Sequence, residues 1–166
     1  MPIVRKTQEM KDMSVVSLSN GEIIAKVSDM LVDPNTRSIA ALLSSKGGLL
    51  GRTTKTIPAT EIQVWGEDVI IVSRPDVFVS KEELPNHQQC LSVANQLKGR
   101  DVVGQDGTRI GTLNDVLIDN EGHLVGYDLA KVDIEGPIAK SKRIGADATH
   151  ALGPDVLVVD ETKLTG

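Results

Sequence analysis

The stretch Asp106–Gly122, DGTRIGTLNDVLIDNEG, gathers Asp106, Asp115, Asp119 and Glu121 with three glycines. Clustered carboxylates suggest a cation site, and glycine-rich loops suggest a phosphate cradle. Calcium needs six to eight oxygen donors on closely spaced positions. Here Val116, Leu117 and Ile118 separate Asp115 from Asp119, as Met30, Leu31 and Val32 separate Asp29 from Asp33. Such residues supply no side-chain oxygen, so no metal ligand is assigned. The spacing suits Asp33 and Asp119 as turn starters that accept local backbone N–H groups, and Asp29 and Asp115 as partly buried acceptors. A dinucleotide loop requires a strand before its glycines and a helix after them. The residues after Gly111 are rich in β-formers, so no cofactor is expected.

Other reactive residues are sparse. His87, His123 and His150 lack zinc spacing, and Cys90 has no Cys-x-x-Cys partner. Cys90 sits beside Leu91 on an expected helix, where a small packing residue fits better than a nucleophile. There is no Gly-x-Ser-x-Gly elbow. No catalytic residue is assigned, and an enzyme is not expected.

The elements that position these residues come from a duplication. Asn20–Asp33 (NGEIIAKVSDMLVD) lies over Asp106–Asp119 (DGTRIGTLNDVLID) at an offset of 86 residues, and Gly66–Val72 lies over Gly153–Val159 at 87. Each copy reads as a short strand, an Asn-Gly or Asp-Gly turn, a long apolar strand (Ile23 to Val32 in the first), a polar turn, a third strand and an apolar closing strand. Crossovers of helix length are absent, which excludes parallel α/β. The expected fold is all-β: two tandem small antiparallel barrels over 1–79 and 98–166, joined by a short helical linker over 80–97. The linker rests on the capping box Ser80/Glu83, a second candidate at Asn86/Gln89, and the helical spacing of Leu91, Ala94 and Leu97.

Hydrophobic residues are 40%, charged 25% and aromatic 2% of the 166 residues. That is a globular balance whose core must be aliphatic. A net charge of −5 and three aromatic side chains disfavour direct nucleic-acid binding. One cysteine fits a reducing compartment, and no segment reads as a signal peptide or a bilayer span, so a cytoplasmic location without membrane insertion is expected.

The segment GRDVVGQDGTRIGTLNDVLIDNEGHLVGYDL, through Gly99, Val102, Gly107, Ile110-Gly111, Asp115 and Asp119, resembles the opening of a PRC-barrel domain. IPATEIQVWGEDVIIV (Ile57–Val72) is similar to that family's closing strands. The first copy departs from it, with Met13 aligned on Gly99 and Ala25 on Gly111, and is expected to be less tightly turned there. The family spans the H subunit of the photosynthetic reaction centre and the C-terminal part of a ribosome maturation factor. The resemblance implies a non-enzymatic adaptor or assembly barrel that binds another protein, in the setting of a membrane-associated complex. The alternative it implies is an accessory factor in ribosome assembly or RNA processing that acts through a protein contact. A homo-oligomer is left open.

The two copies differ most in the loops before their closing strands. SSKGGLLGRTTKT in the first holds Leu49, Leu50 and Arg52; KVDIEGPIAKSKR in the second holds Ile134, Ile138, Lys142 and Arg143. Apolar residues inside a basic loop suit a protein partner, because apolar area gives affinity and charge steers approach. The competing reading is that the Leu or Ile pair caps a barrel end while the cations stay solvated.

Overall fold

The computed structural model describes residues 4–48 and 51–164, with side chains outside the description at 45–48 and 51–54. The chain starts with β1 (Arg5–Lys6) and a 3-10 turn over Thr7–Met10. The first copy comprises β2 (Ser14–Ser17), β3 (Ile23–Lys26), β4 (Asp29–Asp33), β5 (Ser38–Gly48), β6 (Gly51–Pro58), β7 (Ile62–Trp65) and β8 (Val69–Val72). A short β9 (Leu91–Ser92) leads to the second copy: β10 (Asp101–Gly104), β11 (Arg109–Ile118), β12 (Leu124–Val132), the helix α1 (Pro137–Ser141), β13 (Arg143–Gly145), β14 (Thr149–Leu152) and β15 (Leu157–Val159). The all-β class expected from the repeat is the observed one.

The second copy forms one sheet path, β13-β12-β11-β10-β15-β14. The first repeats it in two pieces, β6-β5-β4 and β3-β2-β8-β7. Neighbours run antiparallel except the first and last strands of each copy, where β2 pairs with β8, and β10 with β15, in parallel. The β-bulges are duplicated too: Val15 faces Ala25 while Val16 faces Ile23, and Val102 faces Gly111 while Val103 faces Arg109. Each bulge turns two successive residues inward, Ile24-Ala25 and Ile110-Gly111, all buried. The turn between the first two strands is built as its chemistry demands, because Asn20 and Asp106 accept the N–H two residues on, from Glu22 and Thr108.

The long strand expected over Ile23–Val32 is continuous in the second copy as β11 and broken in the first between Lys26 and Asp29. Gly111 explains the difference. A Cβ there would sit 2.0 Å from the Lys131 carbonyl oxygen, so β11 and β12 approach closely only because Gly111 has none. Ala25 holds the same bulge position, and β3 makes no ladder with β5. The other departure from the family pattern shifts by one residue. Asp12, with φ of 69°, and not Met13, is the counterpart of Gly99, with φ of 85°. Their N–H groups bond Val27 and Leu113, residues 86 apart.

The residues around the linker correct the helix reading. Ser80 N–H donates to the Glu83 carboxylate, but the cap opens only a 3-10 turn over Lys81–Glu83, ahead of Pro85. Leu91 and Ser92 are extended and pair with Val32 and Leu31. The second helical turn, Val93–Leu97, begins only after them, with Leu97 buried and Ala94 exposed. Strand pairing of Leu91 overrides the helical spacing that runs across it.

That pairing has a counterpart. Arg5 and Lys6 pair with Ile118 and Leu117 of the second copy. Arg5 and Leu91 are 86 apart, as are Ile118 and Val32. Thus the segment ahead of each copy adds a strand to the other copy, and the two exchange arms. One largely aliphatic core runs through both, from Met10, Val15 and Ile70 to Leu157 and Val159, with Trp65 and Tyr127 as its aromatic members. A second, smaller cluster joins Leu31, Ala41, Leu84 and Cys90.

Candidate functional site

The aspartates hold the exchanged segments in place. Asp115 is 1% exposed and accepts from the Thr7 hydroxyl at 2.5 Å, Gln8 N–H at 2.9 Å and Val116 N–H at 2.7 Å. Asp29, half-buried, accepts from the Ser92 hydroxyl and from Ala94 N–H at 3.1 Å. These are the acceptor roles expected for the pair, although the donors come from distant segments. Lys6 adds an ion pair to Asp128 at 3.6 Å, and the Arg5 guanidinium donates to the Gly66 and Trp65 carbonyls of the first copy. Arg100 plays the matching part in the second copy, donating to the Gly153 and Pro154 carbonyls. Sequence reasoning misses Thr7, Gln8, Ser92 and Ala94. The only signal for them is their shared position before each copy.

Asp33 and Asp119 start turns as expected, accepting N–H groups from Asn35 and from Glu121 and His123. Burial pushes the Asp119 carboxyl up, but those N–H donors and the His123 imidazole outweigh it and hold it below the ordinary value. Stability from Asp119 is therefore full above the unfolded carboxyl value, about 3.9, and is lost as pH falls through the folded one. Asp119→Asn should flatten the acid limb of stability below about pH 4, read as urea midpoints across pH 3–6; an unchanged limb would refute it. Among the described residues, no three of His, Cys, Asp or Glu cluster as a metal would need. The Cys90 thiol is pushed up by burial and then by Asp33, opposite to the shift that activates a nucleophile. A cavity of about 480 Å³ where the linker meets both copies is lined by Asn35, Gln88, Gln89, Gln96, Leu152 and Pro154 among others, with no ionisable side chain. It carries no acid–base pair.

The copy-specific loops fold differently from each other. In the first copy the β5–β6 ladder continues five pairs beyond Leu43–Thr56, from Ser44–Lys55 to Gly48–Gly51. At about 3.4 Å per residue that is a ribbon reaching roughly 17 Å farther. Leu49 and Leu50 lie outside the described residues, as does the side chain of Arg52, whose backbone is in β6. Lys55 stands at the ribbon base with its ammonium 4.9 Å from the Phe78 ring centre.

In the second copy the same ladder stops at Asp128–Arg143. The chain turns through Gly136 into α1, which drops Ile138 into the core at 2% exposed. Ile134 packs beside that core, half-buried. Lys142 and Arg143 are exposed, with Lys142 left-handed at the helix end. Ile138 is therefore a plug in the barrel end and is not available to a partner, which corrects its place among the expected contact residues. A loop residue with so much apolar neighbourhood obeys the capping reading. Among the described residues, the large exposed aliphatic side chains lie elsewhere: Ile23 and Val64 on the first copy's β3-β2-β8-β7 sheet, Leu18 just past the end of β2, and Val4 ahead of β1.

No helix among the described residues is long and apolar enough to cross a membrane. A family model described as PRC-barrel domain matches the chain twice, over residues 4–78 and 93–165. Among curated proteins, none matches the chain.

Proposed function

The chain belongs to the PRC-barrel domain family, in two tandem copies, and from that premise we propose that it is a non-enzymatic, protein-binding adaptor or assembly module acting in the cytoplasm. The observation that carries this reading is the ribbon. Two copies of one fold share strand order, bulges and turns, yet only the first extends β5 and β6 past the barrel. A two-stranded ribbon is marginal by itself in water, and the second copy builds its barrel without one. An element the barrel does not need, carrying Lys46 and Arg52 in an acidic chain, suits a contact with another protein.

Replacing residues 45–54 by a two-residue Asn-Gly turn trims the ribbon toward the second copy's ladder. The trimmed protein should unfold at the wild-type urea midpoint while losing a partner captured from the native host by the intact chain. A trimmed protein that keeps the partner places the contact elsewhere. A ribosomal protein as the captured partner would move the role to ribosome assembly.

A further inference from the structure

The outer face of the first copy carries a row that strand register assembles from four separate elements. Val16 faces Ile23 across β2–β3 and Ile71 across β2–β8, and Ile71 faces Val64 across β7–β8. Ile23–Val16–Ile71–Val64 is therefore one line of β-branched side chains over four strands, the arrangement in which cross-strand neighbours touch. Ile23 is 61% and Val64 50% exposed. Leu18, two residues beyond Val16 on the same side, is 66% exposed, and Val69 flanks Ile71. The alternate residues Val15, Ile24, Trp65 and Ile70 form the core beneath.

The second copy shows which of these the barrel requires. Its row, in the same register, reads Arg109–Val103–Val158–Ala151. The two central positions stay β-branched, but Ile23 becomes Arg109, ion-paired to Asp101 at 2.8 Å and Asp133 at 3.3 Å. Val64 becomes Ala151, and Leu18 becomes Gln105. The barrel thus folds without large aliphatic ends on this row, and a contiguous apolar patch on one copy alone marks a contact.

The frame around the patch is acidic. Glu22 adjoins Ile23, Glu67 and Asp68 make the turn before Val69, and Glu61 precedes β7. Arg74 is engaged by Asp76 at 2.9 Å and Glu61 at 3.9 Å, and Arg5 by the Trp65 and Gly66 carbonyls at 3.1 and 2.7 Å, which leaves Lys26 as a further cation nearby against the four carboxylates of the frame. Two such faces pressed together would oppose acid with acid, so a symmetric pairing of this chain is disfavoured. We propose that this outer face of the first copy docks another protein whose own surface presents aliphatic side chains framed by lysines or arginines, an inference that rests on reading the chain as a protein-binding module.

The full 15N-labelled chain can be titrated with a synthetic peptide of alternating lysine and valine, with alternating glutamate and valine as control. Amide shifts centred on Val16, Ile23, Val64 and Ile71, produced only by the basic peptide, are the expected result. I23S/V64S, at exposed positions, should weaken that binding about tenfold, and E67Q/D68N should weaken it and flatten its salt dependence. No binding, shifts centred on the Arg109 row, or equal binding of the acidic peptide would overturn the proposal. Self-association of the chain that I23S/V64S abolishes in sedimentation would assign the face to a second copy and also overturn it. Capture from the native host separates this face from the function it rests on. A partner held equally by wild type and I23S/V64S keeps the adaptor role and removes this face, whereas a chain that captures nothing specific in either form loses both.

Discussion

Asp115→Ala is expected to lower the stability of the protein by about 3 kcal/mol and to free its N-terminal segment, because the loss of hydrogen bonds to a buried charge, about 1.5–3 kcal/mol each, is partly offset by removal of the carboxylate's own desolvation cost. The carboxylate is almost fully buried and receives the Thr7 hydroxyl, itself 8% exposed, together with the Gln8 and Val116 N–H groups. Alanine removes the acceptor of all three, and strands the buried Thr7 and Val116 donors. Thr7→Ala removes one donor and leaves Asp115 two others, so its cost should be about 1.5 kcal/mol, the low end of that range. Asp29→Ala should cost less than Asp115→Ala, since Asp29 is only half-buried. Urea unfolding followed by fluorescence of the single tryptophan, Trp65, measures the totals. Hydrogen exchange at Arg5–Met10 measures the release. A wild-type midpoint with those amides still protected in Asp115→Ala would show that the exchanged segment is held by its strand pairing alone.

Gly111→Ala should destabilise by about 2 kcal/mol, within the usual range for overpacking. The new methyl would lie 2.0 Å from the Lys131 carbonyl oxygen and 3.1 Å from its carbon. Backbone atoms cannot swing away as a side chain does, so β11 must part from β12 near Val132. The first copy already shows the outcome, with Ala25 at that position and its long strand divided. The reverse change, Ala25→Gly, should cost less than about 1 kcal/mol, chiefly through chain entropy. Exchange at Asp133 N–H, which donates to the Ile110 carbonyl, reports the parting directly. If Gly111→Ala unfolds like wild type and Asp133 stays protected, the close approach is not what keeps β11 whole.

Most of the local structure is legible in the sequence. The offset of 86 residues, the Asn-Gly and Asp-Gly turns, and the turn-starting roles of Asp33 and Asp119 all come from short-range chemistry: side-chain oxygens bonding the backbone nearby, and alternation at the period of a strand. The site is legible only in outline. The loops before the closing strands differ between the copies in sequence, and they differ in structure. Whether Ile138 faces a partner or the core cannot be read from KVDIEGPIAKSKR, because both fates use the same apolar residue and the choice belongs to the barrel end it closes.

What the sequence determined by itself is the duplicated unit: its strand order along the chain, its turns, its aliphatic core and its resemblance to a known barrel. Those properties depend on residues a few positions apart. The tertiary structure alone decided which copy each arm joins. Arg5 and Lys6 meet Ile118 and Leu117 more than a hundred positions away, and nothing local in RKTQEM prefers the far copy to the near one. It also decided which aliphatic residues stay outside. In Ile23-Ile24-Ala25 a bulge sends the last two inward and leaves Ile23 on the surface. A strand register shifted by one residue would have exchanged those faces, so the outer row exists only once long-range pairing has set the register.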